Sequence, residues 1–133
     1  MTLEQITSTQ ENIITLRKMA DEMSNALVQQ CADYIISRCN NRGGEWLFEK
    51  PIKFYERTYK GFRVRKVETH SGEFQNDKYY YMCIEACERW DSIDKDFRWQ
   101  YWDYLDFDGQ HLLGTPNQIN SYVGIVKTYL ENR

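Results

Sequence analysis

The first forty residues carry apolar side chains at the spacing of a helix. One set recurs every seven residues and a second set fills the alternate seam position: Ile6, Ile13, Ala20, Leu27 and Tyr34, then Leu16 and Met23. Val28 and Ile35 widen this stripe beyond a two-residue seam, so we expect the helix to bury it within the domain. Two capping boxes, Thr2 with Gln5 and Ser8 with Glu11, compete for its start. We predict a helix over about 8–40.

After Gly44 the apolar period changes from helical to two, which predicts strands. Short polar segments separate the runs, so the strands should form an antiparallel meander. Pro51 has no amide hydrogen and places the first strand at an edge or at a bulge. A change of parity near Arg65 and Lys66 predicts another bulge, and a turn is expected at 58–61. The predicted strands cover about 46–57, 62–70, 78–90 and 97–108.

A second helix, over about 116–131, closes the chain. Thr115 is suited to capping it, Pro116 to its first position and Gln118 to its third. The order of helix, four strands and helix predicts a single α+β domain over 1–133, with both helices packed on one face of the sheet. The expected core pairs sheet residues with helix residues: Trp46, Phe48, Phe62, Val64, Tyr80, Met82, Ile84, Trp99 and Tyr101 against Leu16, Met23, Leu27 and Val123.

Charge and aromatic content narrow the choice of partner. The chain has 133 residues, a net charge of −3 and 15% aromatic residues. Five basic residues lie between Arg57 and Lys66, and six aspartates lie between Asp91 and Asp108. The acidic balance disfavours nucleic acid as a partner. Because no apolar segment is long enough for a bilayer and no leader is apparent, we expect a cytoplasmic protein with reduced thiols that does not contact membranes.

The outward parity of the predicted sheet carries the candidate site. Aromatic rings interleave there with guanidinium groups, as in protein interfaces and in sheets that bind single-stranded nucleic acid. The same pattern also suits a face covered by a helix or by a second protomer, in which the aromatics are core. The candidate partner-binding residues are Arg63, Arg65, Tyr79, Tyr81, Trp102 and Tyr104.

Metal and catalytic chemistry have little support in the sequence. The segment Asp106–Gly109 lacks the carboxylates that a calcium loop needs at its first and twelfth positions. The four cysteines lack the spacing of a zinc knuckle, and His70 and His111 stand outside any nucleophile or phosphate-loop motif. We therefore expect no metal, no cofactor and no catalytic residues.

Three functions remain after these exclusions. The first is a small non-catalytic protein-binding module, such as an inhibitor or accessory protein, that uses the aromatic and arginine face. The second is binding of single-stranded nucleic acid by the same face. The third is a small-molecule pocket or an enzyme site between helix and sheet, lined by residues such as Glu85, Tyr101, Asp103 and His111. For the first function we expect a symmetric homodimer or a hetero-complex that covers Trp102.

Overall fold

A computed structural model of the chain describes residues 1–39, 44–70, 78–91, 96–105 and 116–133. Within them a long helix precedes four strands, and a second helix follows the strands. The elements are α1 (Leu3–Arg38), β1 (Glu45–Phe54), β2 (Arg57–His70), β3 (Lys78–Asp91), β4 (Asp96–Leu105) and α2 (Pro116–Glu131). The sheet has the order β1-β2-β3-β4, with every neighbouring pair antiparallel. The predicted α+β architecture is confirmed.

Helix α1 begins at Leu3, earlier than the predicted start near residue 8. The capping box of Thr2 and Gln5 is formed, with the Gln5 amide donating to Thr2 Oγ1 at 3.2 Å and the Thr2 amide to Gln5 Oε1 at 2.9 Å. These two bonds satisfy amide groups that a helix start otherwise leaves without partners. The 36 residues of α1 give a helix about 54 Å long.

The first hairpin turns earlier than its sequence indicates. Its loop is the two residues Tyr55 and Glu56, with Phe54 facing Arg57 across it, and so the predicted turn at 58–61 is wrong. Tyr55 adopts a φ of 54°, the left-handed region that tight hairpin turns use and that glycine usually occupies. A tyrosine at that position gives no turn signal in the sequence.

Strand pairing is uninterrupted between β2 and β3, whereas the register shifts between β1 and β2 and between β3 and β4. Pro51 lies in the edge strand β1, within a register shift between Leu47 and Ile52, as predicted. From Gly61 to His70 strand β2 pairs with β3 without interruption, so the predicted bulge near Arg65 is wrong.

The register instead shifts twice between β3 and β4, at Ile84/Glu85 and at Cys87/Arg89, and the first of these shifts is a bulge in β4. Ile84 faces Asp103, but the next residue of β3, Glu85, faces Tyr101. Trp102 is therefore the extra residue of β4. Because of it, the order in which side chains alternate between the two faces of the sheet is reversed from one side of Trp102 to the other.

The core lies between the two helices and one face of the sheet. Phe62, Val64 and Ile84 lie at its centre. The helices cover these residues with the following buried side chains: Val28, Cys31, Ala32, Ile35, Ile36 and Cys39 of the α1 end, and Tyr122, Ile125 and Val126 of α2. The buried part of α1 is thus its last three turns.

Several residues that we expected in the core lie outside it. Leu16, Met23 and Leu27 are 63%, 72% and 48% exposed, because α1 reaches the sheet and α2 only from Val28 onward. Tyr101 is 48% exposed because the bulge in β4 turns it away from the helices.

Candidate functional site

The face of the sheet opposite the helices carries polar and aromatic side chains. Val64 and Ile84 face each other in the core, so their neighbours on the same strands point to the other side. Neither helix covers that side in the part of the chain that the structure describes. We call it the open sheet face, and it includes Arg63, Arg65, Val67, Tyr81, Cys83, Glu85, Cys87, Trp99, Tyr101 and Tyr104.

One carboxylate holds two guanidinium groups at the centre of this face. Arg63 Nε donates to Glu85 Oε1 at 3.0 Å, and Arg65 Nε lies 3.3 Å from the same oxygen. The Arg63 guanidinium also lies over the Trp99 ring, 4.5 Å from its centroid. These contacts hold Arg63 at 20% side-chain exposure, whereas Arg65 remains 49% exposed. Arg65 is therefore the charged side chain that this cluster presents to solvent.

Three tyrosines continue the face beside the arginines. Tyr104 lies between the other two, with its ring centroid 5.4 Å from that of Tyr81 and 4.7 Å from that of Tyr101. Tyr101 and Tyr104 are each about half exposed, at 48% and 49%. Partial burial, with Asp103 as the next cause, raises the pKa of Tyr101 to about 12. Its hydroxyl is thus neutral at pH 7 and can donate a hydrogen bond to a partner.

Two buried thiols lie on the same strands as this face. Cys83 and Cys87 are 2% and 0% exposed although they belong to the open sheet face. Burial and the neighbouring Glu85 raise the pKa of Cys83, while Arg65 and Arg63 lower it in part. A neutral, covered thiol is a poor nucleophile. The two cysteines act as small apolar residues on which the surrounding side chains pack.

The structure brings four of the six predicted partner-binding residues together. Arg63, Arg65, Tyr81 and Tyr104 all lie on the open sheet face. Tyr79 pairs with Thr69 in the ladder, and its side chain is outside the described residues.

The predicted outward position of Trp102 is wrong. Its ring packs 4.6 Å from the ring of Phe62 and 4.6 Å from that of Tyr122, on the helix side of the sheet. The reason is the bulge, which turns Trp102 and its neighbour Asp103 toward the core. Trp102 therefore belongs to the core. It is not available as the centre of the interface that we expected to cover it.

Asp103 connects the sheet to α2 on that inner side. It is 4% exposed, and the Tyr122 hydroxyl donates a hydrogen bond to Asp103 Oδ2. The Tyr104 amide donates to Asp103 Oδ1 at 2.8 Å. Burial, together with this hydrogen bond, raises the pKa of Tyr122. The pair thus supplies a buried polar contact within an otherwise apolar core.

Sequence reasoning did not assign Glu85, Trp99 and Tyr101 to the partner-binding set. Trp99 and Tyr101 were expected in the core, and Glu85 in a pocket. No glycine or proline marks the bulge in β4, so nothing in the sequence signals the change of side. Glu85 could have been found from its alternation with Cys83 and Tyr81 along β3.

The described residues of the predicted pocket do not all lie on one side of the sheet. Glu85 and Tyr101 lie on the open sheet face, Asp103 lies on the helix side, and His111 is outside the described residues. A different concave region of about 720 Å³ lies where the β1 bulge meets the end of α2. Pro51 and Arg133 are among its lining residues, and it opens broadly to solvent. Glu49, Lys50 and Lys53 also line it, so its surface mixes charged and apolar groups.

The other expectations concern metals and membranes. In the described ranges, no three histidine, cysteine or acidic side chains come together as a metal site. The segment Asp106–Gly109 lies outside those ranges. No described helix has both the length and the apolar character that crossing a bilayer requires.

The fold and the open sheet face define an α+β chain with an antiparallel meander, helices on one side and a tyrosine–arginine surface on the other. Comparison of the chain with protein-family models, curated proteins and solved structures found no match.

Proposed function

We propose that this chain is a small protein-binding module and that it contacts its partner through the open sheet face. The observation that carries the proposal is the cluster of half-exposed tyrosines beside Arg65 on a sheet surface that neither helix covers in the described part of the chain. Tyrosine, tryptophan and arginine dominate the energetic anchors of protein interfaces.

The cluster is ordered before any partner arrives. Arg63 is fixed between the Glu85 carboxylate and the Trp99 ring, and Tyr104 packs edge-on against Tyr81. Immobilising a flexible side chain at an interface costs about 0.5–1.5 kcal/mol, and this cost is reduced where the free protein already holds the side chain in place. Arg63 and Tyr104 are therefore suited to act as rigid anchors.

Charge indicates the chemistry of the partner. Two guanidinium groups and one carboxylate leave a net formal charge of +1 in the arginine cluster, with the surplus on the exposed Arg65. A protein surface with an acidic group near an apolar patch complements this arrangement. Nucleic acid is a poorer match, because Glu85 offsets one of the two positive charges that would contact phosphate and the chain carries a net charge of −3.

Site-specific cross-linking tests the proposal. A photoreactive phenylalanine derivative replaces Tyr104 in one protein and Tyr55 in another, the latter being 83% exposed in the first hairpin turn. After irradiation in an extract of cells that express the chain, we expect a protein adduct from the Tyr104 position that the Tyr55 position does not give. The captured protein is then purified and its affinity for the chain is measured by calorimetry.

Two variants and one control decide the outcome. Tyr104→Ala and Arg65→Ala should each weaken binding of the purified partner by about tenfold, as interface anchors do, whereas Tyr55→Ala should leave the affinity unchanged. Equal affinities for all three variants would refute the proposal. Tight binding of a single-stranded oligonucleotide at physiological salt, lost in Tyr104→Ala, would replace the protein partner with nucleic acid.

A further inference from the structure

The N-terminal part of α1 projects from the fold with its apolar residues in solvent. Every residue from 1 to 27 is exposed. We call residues 3–27 the helical arm, which is about 37 Å long. Its large apolar side chains are 41–80% exposed, and there are eight of them: Leu3, Ile6, Ile13, Ile14, Leu16, Met19, Met23 and Leu27.

Most of these residues form one seam. With Ile6 at heptad position a, the a positions hold Ile6, Ile13, Ala20 and Leu27, and the d positions hold Thr9, Leu16 and Met23. The acidic residues and Lys18 fall at the outer positions b, c and f, and Arg17 is the single charged residue at the flanking e and g positions. An apolar seam with an outer charged surface is the pattern of a helix that pairs with another helix.

The chain's own core does not take up this seam. The buried stripe at the end of α1 contains Val28, Ala32, Ile35 and Cys39, and its centre is rotated by roughly a quarter turn from that of the seam. Because α1 is continuous from Leu3 to Arg38, the arm cannot turn its seam toward the sheet. The seam therefore needs a partner from outside the chain.

The composition of the arm selects a second helix over a membrane surface. Its four acidic and two basic side chains give a net formal charge of −2, whereas helices that lie on anionic lipid carry an excess of lysine and arginine. The neutral flanks let two identical arms approach without repulsion, apart from Arg17. In a parallel coiled coil, Ile6 and Ile13 at a, with Leu16 at d, favour two strands over three or four.

The apolar surface that the helical arm exposes is about as large as a small protein–protein interface requires. A leucine, isoleucine or methionine side chain removes roughly 60–120 Å² of apolar surface from water when it is fully buried. At the observed exposures the seven side chains other than Ile14, which lies at the outer position b, present roughly 240–480 Å², comparable with the biggest apolar patch of a typical monomer. Two copies supply about twice that area, which approaches the roughly 1,000 Å² at which specific interfaces begin.

We propose that two copies of this chain associate through their helical arms as a parallel two-stranded coiled coil. The seam residues of one copy pack against the same residues of the other, and the open sheet face of each copy takes no part. The self-association is therefore independent of the protein-binding function proposed above.

Sedimentation equilibrium between about 1 and 100 µM tests the association, because weak symmetric interfaces dissociate in this range. The wild type should be a dimer at the upper end. Leu16→Glu places a carboxylate in the seam and should weaken the dimer by about 100-fold or more. Ile14→Glu is the matched control, since Ile14 is as exposed as Leu16 (66% and 63%) but lies at position b, and it should still dimerise. Circular dichroism should show the same helix content in both variants.

Disulfide trapping tests the parallel arrangement. Thr9 faces itself in a parallel pair, so Thr9→Cys should form a disulfide-linked dimer under mild oxidation, whereas the four native cysteines are buried. In the antiparallel register that best aligns the apolar positions, Thr9 faces Ala20 instead. Cross-linking that requires both Thr9→Cys and Ala20→Cys would overturn the parallel pair. A wild type that is monomeric at 100 µM, or a Leu16→Glu variant that still dimerises, would overturn the association itself.

Discussion

Removing the Tyr122 hydroxyl tests how α2 is held to the sheet. Tyr122 and Asp103 are 1% and 4% exposed, and the hydroxyl donates to the Asp103 carboxylate. A hydrogen bond to a charged group contributes about 1.5–3 kcal/mol, and a buried acceptor that loses its donor keeps the cost of its desolvation. In Tyr122→Phe the Tyr104 amide still donates a hydrogen bond to Asp103. We therefore expect the free energy of unfolding to fall by an amount in the lower half of that range.

Urea unfolding measures this loss. With a denaturant dependence of about 1–3 kcal/mol per molar urea, the midpoint of Tyr122→Phe should fall by roughly 1 M. Tyr129→Phe is the matched control, because Tyr129 lies on the same helix and its ring stacks on Phe48, while its hydroxyl does not contact Asp103. This control should cost less than about 0.5 kcal/mol.

A double-mutant cycle isolates the pair. Tyr122→Phe, Asp103→Ala and the double variant should show a coupling of about 1–2 kcal/mol, as expected for two groups in one buried contact. If Tyr122→Phe costs no more than Tyr129→Phe, or if the coupling is near zero, the hydrogen bond adds nothing. Packing of the ring alone would then hold α2.

Three further substitutions or conditions probe the core. Burial raises the pKa of Cys39 to about 12 and also raises that of Tyr122. As the pH rises, both groups therefore lose their protons at a lower pH in the unfolded chain than in the folded one. The contribution of these two groups to the free energy of unfolding should consequently be constant below about pH 9. It should fall above that pH for Cys39, and above about pH 10 for Tyr122, by about 1.4 kcal/mol per pH unit per group, and Cys39→Ala should reduce this slope in urea titrations. Gly61→Ala places a methyl group 2.4 Å from the Trp46 carbonyl oxygen and should lower the free energy of unfolding by about 1–3 kcal/mol. A thermal midpoint equal to that of the wild type would contradict this. Ile84→Ala should cost about 2–5 kcal/mol, since Ile84 is fully buried, and a loss under about 0.5 kcal/mol would be inconsistent with the register.

Local sequence signals were sufficient where strands alternate without a break, or where a single residue restricts its own position in a sheet. Pro51 indicated an edge strand with a bulge because a missing amide hydrogen excludes it from a central strand. Arg63, Arg65 and Tyr81 were placed on the correct face because β2 and β3 alternate without a break.

The errors arose where tertiary contacts decide the outcome. A bulge at Trp102 changes which side chains face the core, and it carries no residue type that marks it. The apolar spacing along α1 predicted a helix correctly. The same spacing, however, occurs both in a helix that packs on the sheet of its own chain and in a helix that pairs with a second helix. Leu16 and Met23 therefore could not be assigned to core or surface from periodicity alone.

Labelling of tyrosine side chains by hydroxyl radicals tests most directly whether the sheet face is available to a partner. The intact protein and its Leu16→Glu variant are labelled at the same concentration, and the modified residues are located by mass spectrometry. We expect Tyr104 to be labelled equally in both proteins and Tyr122 to be protected in both, because the first is 49% exposed and the second 1%. Protection of Tyr104 in the wild-type protein would show that the face is covered, by the chain itself or by a second copy, and would contradict its proposed role.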